Sequence, residues 1–169
     1  ENPFFMYLCF LKVHNPNNPS PRWKGKSPGG GTYLDALMEL DDNTGQVVQA
    51  IRNLGLAENA LVVWTTDNGA WVDAWPDAGY TPFRGGKGTT WEGGVRVPGI
   101  AYWKGMIKPG RVSDDVFDLM DLFSTAVHLA GADARLPKDR YIDGVDQTSF
   151  LLHDEGQGNR ECVFFWFKS

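Results

Sequence analysis

The chain has 169 residues, and its 42% hydrophobic and 13% aromatic content provides enough apolar material for one packed domain, which excludes wholesale disorder. Its 16 basic and 21 acidic side chains give a net charge of −5, which argues against a nucleic-acid-binding protein. No apolar run approaches the roughly 20 residues that a membrane-spanning helix needs. The two cysteines, Cys9 and Cys162, adjoin apolar runs and are predicted to be small buried side chains.

The first part of the chain predicts a βαβ unit. Residues 4–13 form a nearly continuous apolar and aromatic run, which is typical of a strand buried on both faces of a parallel sheet. Residues 32–54 carry apolar side chains at helical spacing, and Thr32 with Asp35 resembles a capping box at the start of this helix. Residues 60–66 are a second β-rich run. The two strands are therefore expected to be parallel neighbours or near neighbours.

The second part predicts a long loop, two further strands and one helix. Residues 69–98 are irregular and rich in Gly and Trp, and a loop of this length is more often functional than idle. A short strand is predicted at 99–103. Residues 113–130 have helical periodicity, and Ser113-Asp114-Asp115 would cap that helix. A final strand is predicted at 162–167.

Polar residues follow the first two predicted strands. His14 closes the first strand, and Asp67 and Asn68 follow the second. In an open α/β sheet, ligands bind beyond the carboxyl ends of the strands. Carboxylate and amide oxygens suit Ca²⁺ or Mg²⁺, but two residues cannot supply the six to eight ligands of Ca²⁺, so further ligands would come from elsewhere. As an isolated triplet, Asp-Asn-Gly is more commonly only a turn.

A glycine-rich segment surrounds Lys87, which follows Gly85-Gly86 and precedes Gly88. Glycines let the backbone approach a ligand closely, and an ammonium group can donate to an oxyanion. The spacing differs from that of a Walker A loop, and a surface loop with solvated charges is the alternative interpretation. Three neighbouring charged residues are predicted to brace this loop by ion pairs: Arg84, Glu92 and Arg96.

In this order, the motifs resemble the sulfatases of the alkaline phosphatase superfamily, particularly the arylsulfatases. The motifs that carry the resemblance are Val13-His14-Asn15-Pro16, Asp41-Asp42 with Gly45, Thr66-Asp67-Asn68-Gly69, Arg84-Gly85-Gly86-Lys87-Gly88-Thr89, Glu92-Gly93-Gly94-Val95-Arg96-Val97-Pro98 and Asp143-Gly144-Val145-Asp146. The resemblance implies an α/β fold with a mostly parallel sheet flanked by helices, incomplete at both ends. Residues 1–160 would be the C-terminal half of the catalytic domain, and residues 161–169 the first strand of a truncated C-terminal subdomain.

The resemblance also implies roles for four residues. Asp67 and Asn68 match two ligands of the divalent cation of the family, usually Ca²⁺, with Mg²⁺ as the alternative. Lys87 matches a lysine that contacts the sulfate group, and His14 matches a histidine at the same substrate, so both are candidate catalytic and substrate-binding residues. The implied reaction is hydrolysis of a sulfate ester, carried by a small molecule or a sulfated glycan. These stretches are expected to converge on one anion-sized hollow.

The family's nucleophile is a formylglycine made within a Cys/Ser-x-Pro/Ala-x-Arg motif, and this motif is missing from the chain. The chain alone is therefore predicted to be inactive, with the missing N-terminal half of the protein as its partner. One alternative is a phosphoesterase or phosphonate hydrolase of the same superfamily, and another is a non-catalytic, truncated or degenerate paralogue. An exposed sheet edge would favour self-association. The resemblance implies a periplasmic, secreted or lysosomal location.

Overall fold

A computed structural model of the protein describes residues 3–166. They form four helices, α1 (Thr32–Asn53), α2 (Glu92–Val95), α3 (Asp121–Leu129) and α4 (Thr148–Leu152), two strands, β1 (Val62–Thr65) and β2 (Gly99–Tyr102), and 3₁₀ turns at Ala57–Asn59, Val72–Ala74 and Asp133–Arg135. The chain divides into two compact units. The first runs to Leu56 and resumes over Asn68–Val97, and the second comprises Ala57–Asp67 and the chain from Pro98 onward.

Helix α1 is the main element of the first unit, and its predicted position is confirmed. The predicted capping box is wrong. Gly31 is the N-cap residue and no side chain caps the helix, because Thr32 and Asp35 are used by other contacts. The Thr32 hydroxyl donates to the carboxylate of Asp77. No helix between residues 3 and 166 is both long and apolar enough to cross a membrane.

Strands β1 and β2 pair in the second unit, at the positions predicted from residues 60–66 and 99–103. The pair is antiparallel, with Val62 opposite Tyr102 and Thr65 opposite Gly99. The predicted parallel pairing of residues 4–13 with β1 is not found in the described part of the chain, where the sheet contains β1 and β2 alone.

The two apolar runs near the ends of the chain are not strands in the described residues, so those predictions are wrong over 4–13 and 162–166. Their large side chains are exposed, by 81% at Phe5 and 95% at Trp166, and Cys9 and Cys162 are exposed instead of buried. An apolar run becomes a buried strand only where a neighbouring strand and a covering layer meet it, and residues 3–166 provide neither there. Phe167, the last residue of the predicted strand, lies outside the described residues.

Helix α3 ends as predicted but begins eight residues later than expected, at Asp121. Ser113 does not cap the helix, because its hydroxyl accepts the backbone N–H of Asp115 within a local turn at 3.1 Å. Asp121 instead organises this region. Its carboxylate accepts the backbone N–H of Asp118, which forms a tight turn immediately before the helix.

A buried polar cluster, the Asp121 cluster, joins α3 to the segment that precedes α4. Arg160 donates from Nη2 to Oδ1 of Asp121 at 2.6 Å and from Nε to Oδ2 at 2.9 Å. The backbone N–H of Val145 donates to the same carboxylate at 2.8 Å, and that of Gln147 donates to Thr125. Burial by itself raises the pKa of Asp121, but the hydrogen bonds from Arg160 and the backbone outweigh it, so the pKa is lowered.

Candidate functional site

Two carboxylates on α1 hold the loop that follows residue 13. Glu39 accepts the backbone N–H of Ser20 at 2.9 Å and lies 3.3 Å from the ammonium of Lys12. Lys12 also donates to the carbonyl of Asn18 at 2.6 Å. The hydrogen bond from Ser20 is the main reason that the pKa of Glu39 is lowered. The two ends of the segment that contains His14 are thus tied to the helix.

Asp35 performs the same task one turn earlier on α1. Its two carboxylate oxygens accept the backbone N–H groups of Ser27 at 2.8 Å and Gly25 at 2.7 Å. These bonds, from Ser27 first, lower the pKa of Asp35, because they stabilise the ionised carboxylate. Asp35 and Glu39 are four residues apart, so both lie on the helix face that carries the loop.

The contacts of His14 favour one tautomer. Its Nδ1 lies 2.7 Å from the carbonyl oxygen of Asn15. A carbonyl oxygen can only accept a hydrogen bond, so Nδ1 carries a proton and the neutral ring presents its lone pair at Nε2. The ammonium of Lys87 lies 3.2 Å from this Nε2 atom and donates to it. Two residues separated by 73 positions in sequence therefore place a cation and an imidazole side by side in the first unit.

Backbone contacts fix the position of Lys87. Its backbone N–H donates to the carbonyl of Ala70 at 2.9 Å, and the N–H of Gly69 donates to the carbonyl of Gly94 at 2.9 Å. This approach requires glycine, since a Cβ atom on Gly69 would overlap the carbonyl oxygen of Gly93. The glycine-rich segment therefore packs directly against the residues that follow Asn68, which brings Lys87 to its place.

Replacing Gly69 with Ala is expected to destabilise the protein by about 1–3 kcal/mol, because the added methyl group must displace backbone. The matched control is Gly45→Ala on α1, where a Cβ meets nothing within 4 Å. That change is expected to stabilise the helix by about 0.5–1 kcal/mol, through the better helix propensity of Ala. Urea unfolding of both variants measures the difference. Equal midpoints would show that the contact of Gly69 with Gly93 is not close.

The charged residues of the glycine-rich segment make two kinds of contact, and the predicted ion pair is found between Glu92 and Arg96. Arg96 forms an ion pair with Glu92 at 3.5 Å across one turn of α2. Arg84 instead stacks over the ring of Trp91, 3.8 Å from its centroid. Both contacts stay within the segment that carries Lys87.

Asp67 and Asn68 are consecutive, and the boundary between the two units falls between them. Asp67 is exposed, and its Oδ1 lies 3.3 Å from the Thr66 hydroxyl. Asn68 is half-buried and uses its amide nitrogen to donate to the carbonyl of Gly69 at 3.0 Å. The oxygen donors of the pair fit a divalent cation by type. Asp67 and Asn68 do not complete the coordination shell of such a cation. Within residues 3–166, no three His, Cys, Asp or Glu side chains are grouped so that they could hold a metal.

The structure thus brings together two of the four predicted site residues, His14 and Lys87. That these two share one hollow with Asp67 and Asn68 stays a prediction. Asp35 and Glu39, which support the His14 loop, were not among the predicted site residues. Their signal in the sequence is a pair of carboxylates at helical spacing, directly after a loop rich in Pro and Gly that has many backbone N–H groups to satisfy.

Comparisons with known proteins agree with these motifs. The sequence model of the family Sulfatase matches residues 1–132. Steryl-sulfatase of Rattus norvegicus is 40% identical over 172 residues, which cover 98% of this chain and 29% of that protein. N-acetylgalactosamine-6-sulfatase of Mus musculus is 40% identical over 168 residues, covering 98% of this chain and 31% of that protein. The chain therefore spans about three-tenths of the length of these relatives.

Solved structures give the same result for the fold. The crystal structure of PsFucS1 sulfatase from Pseudoalteromonas sp. superposes with a TM-score of 0.89 at 52% identity, covering 92% of this chain and 31% of that one. A Bacteroides thetaiotaomicron protein, from work on the metabolism of multiple glycosaminoglycans, superposes with a TM-score of 0.80 at 31% identity, covering 94% of this chain and 34% of that one. The predicted fold class is confirmed as part of the alkaline-phosphatase-like α/β fold of sulfatases. The chain belongs to the Sulfatase family.

Proposed function

We propose that the chain forms one wall of the active site of a sulfuric ester hydrolase, which converts a sulfate monoester and water into an alcohol and inorganic sulfate. The observation that carries this proposal is the contact of the Lys87 ammonium with His14 Nε2 at 3.2 Å. A cation held by backbone contacts beside an imidazole is suited to bind an anionic ester and to handle a proton at its leaving oxygen.

Each residue of the pair has a separate task in this mechanism. Lys87 donates to the sulfuryl oxygens, where its charge stabilises the negative charge of the transition state more than that of the ground state. The Asn15 carbonyl holds the Nδ1 proton of His14, so the ring acts through Nε2. When Nε2 is protonated, it donates to the oxygen that leaves with the alcohol.

Asp67 and Asn68 would contribute two oxygen ligands to a divalent cation, which we propose to be Ca²⁺, or Mg²⁺ as the alternative. A cation bound there would stabilise negative charge on the sulfuryl oxygens. The support is the hard-oxygen character of both side chains and their position directly after β1. The remaining ligands, and a formylglycine nucleophile, would come from residues of a longer protein that contains this chain.

For the substrate, we propose a sulfated sugar. One similar relative is named for N-acetylgalactosamine 6-sulfate, and one similar structure comes from work on glycosaminoglycans. A further similar structure, of Ps i-CgsB, 27% identical with a TM-score of 0.72, is a complex with k-i-k-neocarrahexaose. The steryl-sulfatase similarity makes a steroid sulfate the main alternative. A periplasmic, secreted or lysosomal location fits such substrates.

The test is hydrolysis of N-acetylgalactosamine 6-sulfate by the full-length protein, with the corresponding 6-phosphate as the matched control. We expect release of inorganic sulfate and much slower release of phosphate. Faster release of phosphate would instead support the phosphoesterase alternative. The 169-residue chain alone is expected to release neither product, because it lacks the Cys/Ser-x-Pro/Ala-x-Arg motif. Turnover by the chain alone would contradict the proposed need for formylglycine.

A further inference from the structure

Trp71 lies beside the His14–Lys87 pair. The ammonium of Lys87 is 5.7 Å from the centroid of the Trp71 ring, within the range of a cation–π contact. The indole is nonetheless 46% exposed. The site therefore presents an open aromatic surface directly next to its candidate sulfate-binding cation.

The position of Trp71 is fixed by its backbone. The carbonyl of Trp71 accepts the N–H of Ala74 at 3.1 Å, at the start of the 3₁₀ turn Val72–Ala74. The preceding residue, Ala70, accepts the backbone N–H of Lys87 at 2.9 Å. The indole and the ammonium are thus attached to two pieces of backbone that a hydrogen bond joins.

The distance between Lys87 and Trp71 places the indole within reach of an ester bound at Lys87. A sulfate oxygen that accepts from Lys87 lies about 3 Å from Nζ. The ring that carries the sulfate is joined to it through the ester linkage, and apolar groups are in contact at about 4.0–4.5 Å. An aromatic surface centred 5.7 Å from the same Nζ atom is therefore within reach of the ester's own ring.

The chemistry of an indole suits contact with the sugar ring that carries the sulfate. It is large and rigid, it loses little conformational entropy on binding, and its π face attracts the slightly positive C–H groups of a sugar ring. We propose that Trp71 is a substrate-binding residue that determines specificity, by stacking on the sugar ring that carries the sulfate group. This inference rests on the proposed function, because it places the ester's sulfate at Lys87.

The experiment compares Trp71→Leu with wild type in the full-length protein, using two measurements. The KM for N-acetylgalactosamine 6-sulfate reports both the sulfate and the sugar contacts, whereas the inhibition constant of inorganic sulfate reports the anion site alone. We expect the KM to rise about five- to tenfold and the inhibition constant to change less than about twofold. A parallel rise of both constants would show that Trp71 only positions Lys87, and would overturn the proposal, as would no change in either.

Two further variants separate stacking from folding. Trp71→Phe keeps an aromatic face and is expected to retain a KM within about threefold of wild type, even if Trp71→Leu fails to fold. The matched control is Trp23→Leu, which removes another tryptophan that contacts a cation, Arg22 at 5.2 Å, and is expected to leave both constants unchanged. A KM for Trp71→Phe raised as much as about tenfold would contradict the proposal.

Failure of the proposed function is distinguishable from failure of this inference. Calorimetric titration with N-acetylgalactosamine 6-sulfate measures binding without turnover. If wild type shows no turnover but binds this sugar about five- to tenfold more tightly than Trp71→Leu does, the hydrolase proposal fails and the stacking proposal stands. Equal affinities of wild type and variant would overturn the stacking proposal whatever the turnover.

Discussion

Replacing Lys87 with Ala in the full-length protein is expected to lower kcat for the sulfate ester by about 100- to 1,000-fold, since removal of one preorganised donor to a developing oxyanion costs about 2.7–4 kcal/mol of transition-state stabilisation. In the proposed site Lys87 would be such a donor, because its backbone N–H is bound to the carbonyl of Ala70 and its ammonium lies 3.2 Å from His14 Nε2. The affinity for inorganic sulfate is expected to fall as well, because the product carries the same anionic oxygens.

The matched control for this prediction is Lys104→Ala. Lys104 pairs with Glu58 at 2.8 Å, and both side chains are largely exposed. Solvent screens an exposed pair of this kind, which contributes little to stability, so the variant is expected to keep wild-type kcat. A Lys87→Ala protein that unfolds at the wild-type temperature and retains wild-type kcat would remove Lys87 from the proposed site.

Strands could be predicted from the sequence where the described chain also contains a strand that pairs with them. Residues 60–66 and 99–103 are β-rich, and each finds the other as a strand partner. The runs at 4–13 and 162–166 have an equally strong pattern and form no strand. Periodicity reports which side chains favour burial, but a strand also needs a neighbour to pair with its backbone, and this information is not local.

The predicted helix caps and the predicted start of α3 were wrong for a related reason. The pattern of apolar residues located α1 and the end of α3, but the polar residues assigned to their caps have other partners. Asp35 satisfies backbone groups of the loop before α1, and Ser113 forms a local turn. A polar side chain near a helix start can cap the helix or bind a distant loop, and only the tertiary structure decides which.

The residues that carry the chemistry of the candidate site could be predicted, but the contacts that hold them in place could not. His14 and Lys87 stood out as reactive residue types at a predicted strand end and in a glycine-rich loop. Their contact depends on the close packing of Gly69 against Gly93, and on α1 carboxylates such as Glu39 that hold the His14 loop. The glycines belong to motifs and the carboxylates lie four residues apart on α1, but the partners of these contacts are distant in sequence, so local patterns do not identify them.

The second large effect is a loss of stability, which we expect when the Asp121 cluster is disrupted. Replacing Arg160 with Met in the full-length protein is expected to lower the free energy of unfolding by about 3–5 kcal/mol. The Asp121 side chain is fully buried and that of Arg160 is 7% exposed, so removal of the guanidinium leaves a buried carboxylate without its cation. The matched control is Arg140→Met, because Arg140 pairs with Asp139 at 2.9 Å on the surface, where water screens the pair and its loss is expected to cost little.

The pH dependence of stability tests the same cluster by a second route. The pKa of Asp121 is lowered in the folded protein, against about 3.9 for an unfolded chain. Its contribution to stability is therefore fully present above the unfolded pKa and is lost as the pH falls through the folded pKa. Urea unfolding between about pH 2 and pH 6 should show this loss at the acid end in wild type, and a smaller loss in Asp121→Asn, which has no carboxylate to protonate.

A double variant separates the buried charge from the packing of the cluster. Arg160→Met with Asp121→Leu removes both ions, and it is expected to recover a large part of the stability that Arg160→Met loses, because no unpaired charge then remains buried. If the double variant is instead less stable than Arg160→Met by the full cost of a second core substitution, the hydrogen bonds of the carboxylate to Val145 and Asp118 hold this region together independently of Arg160.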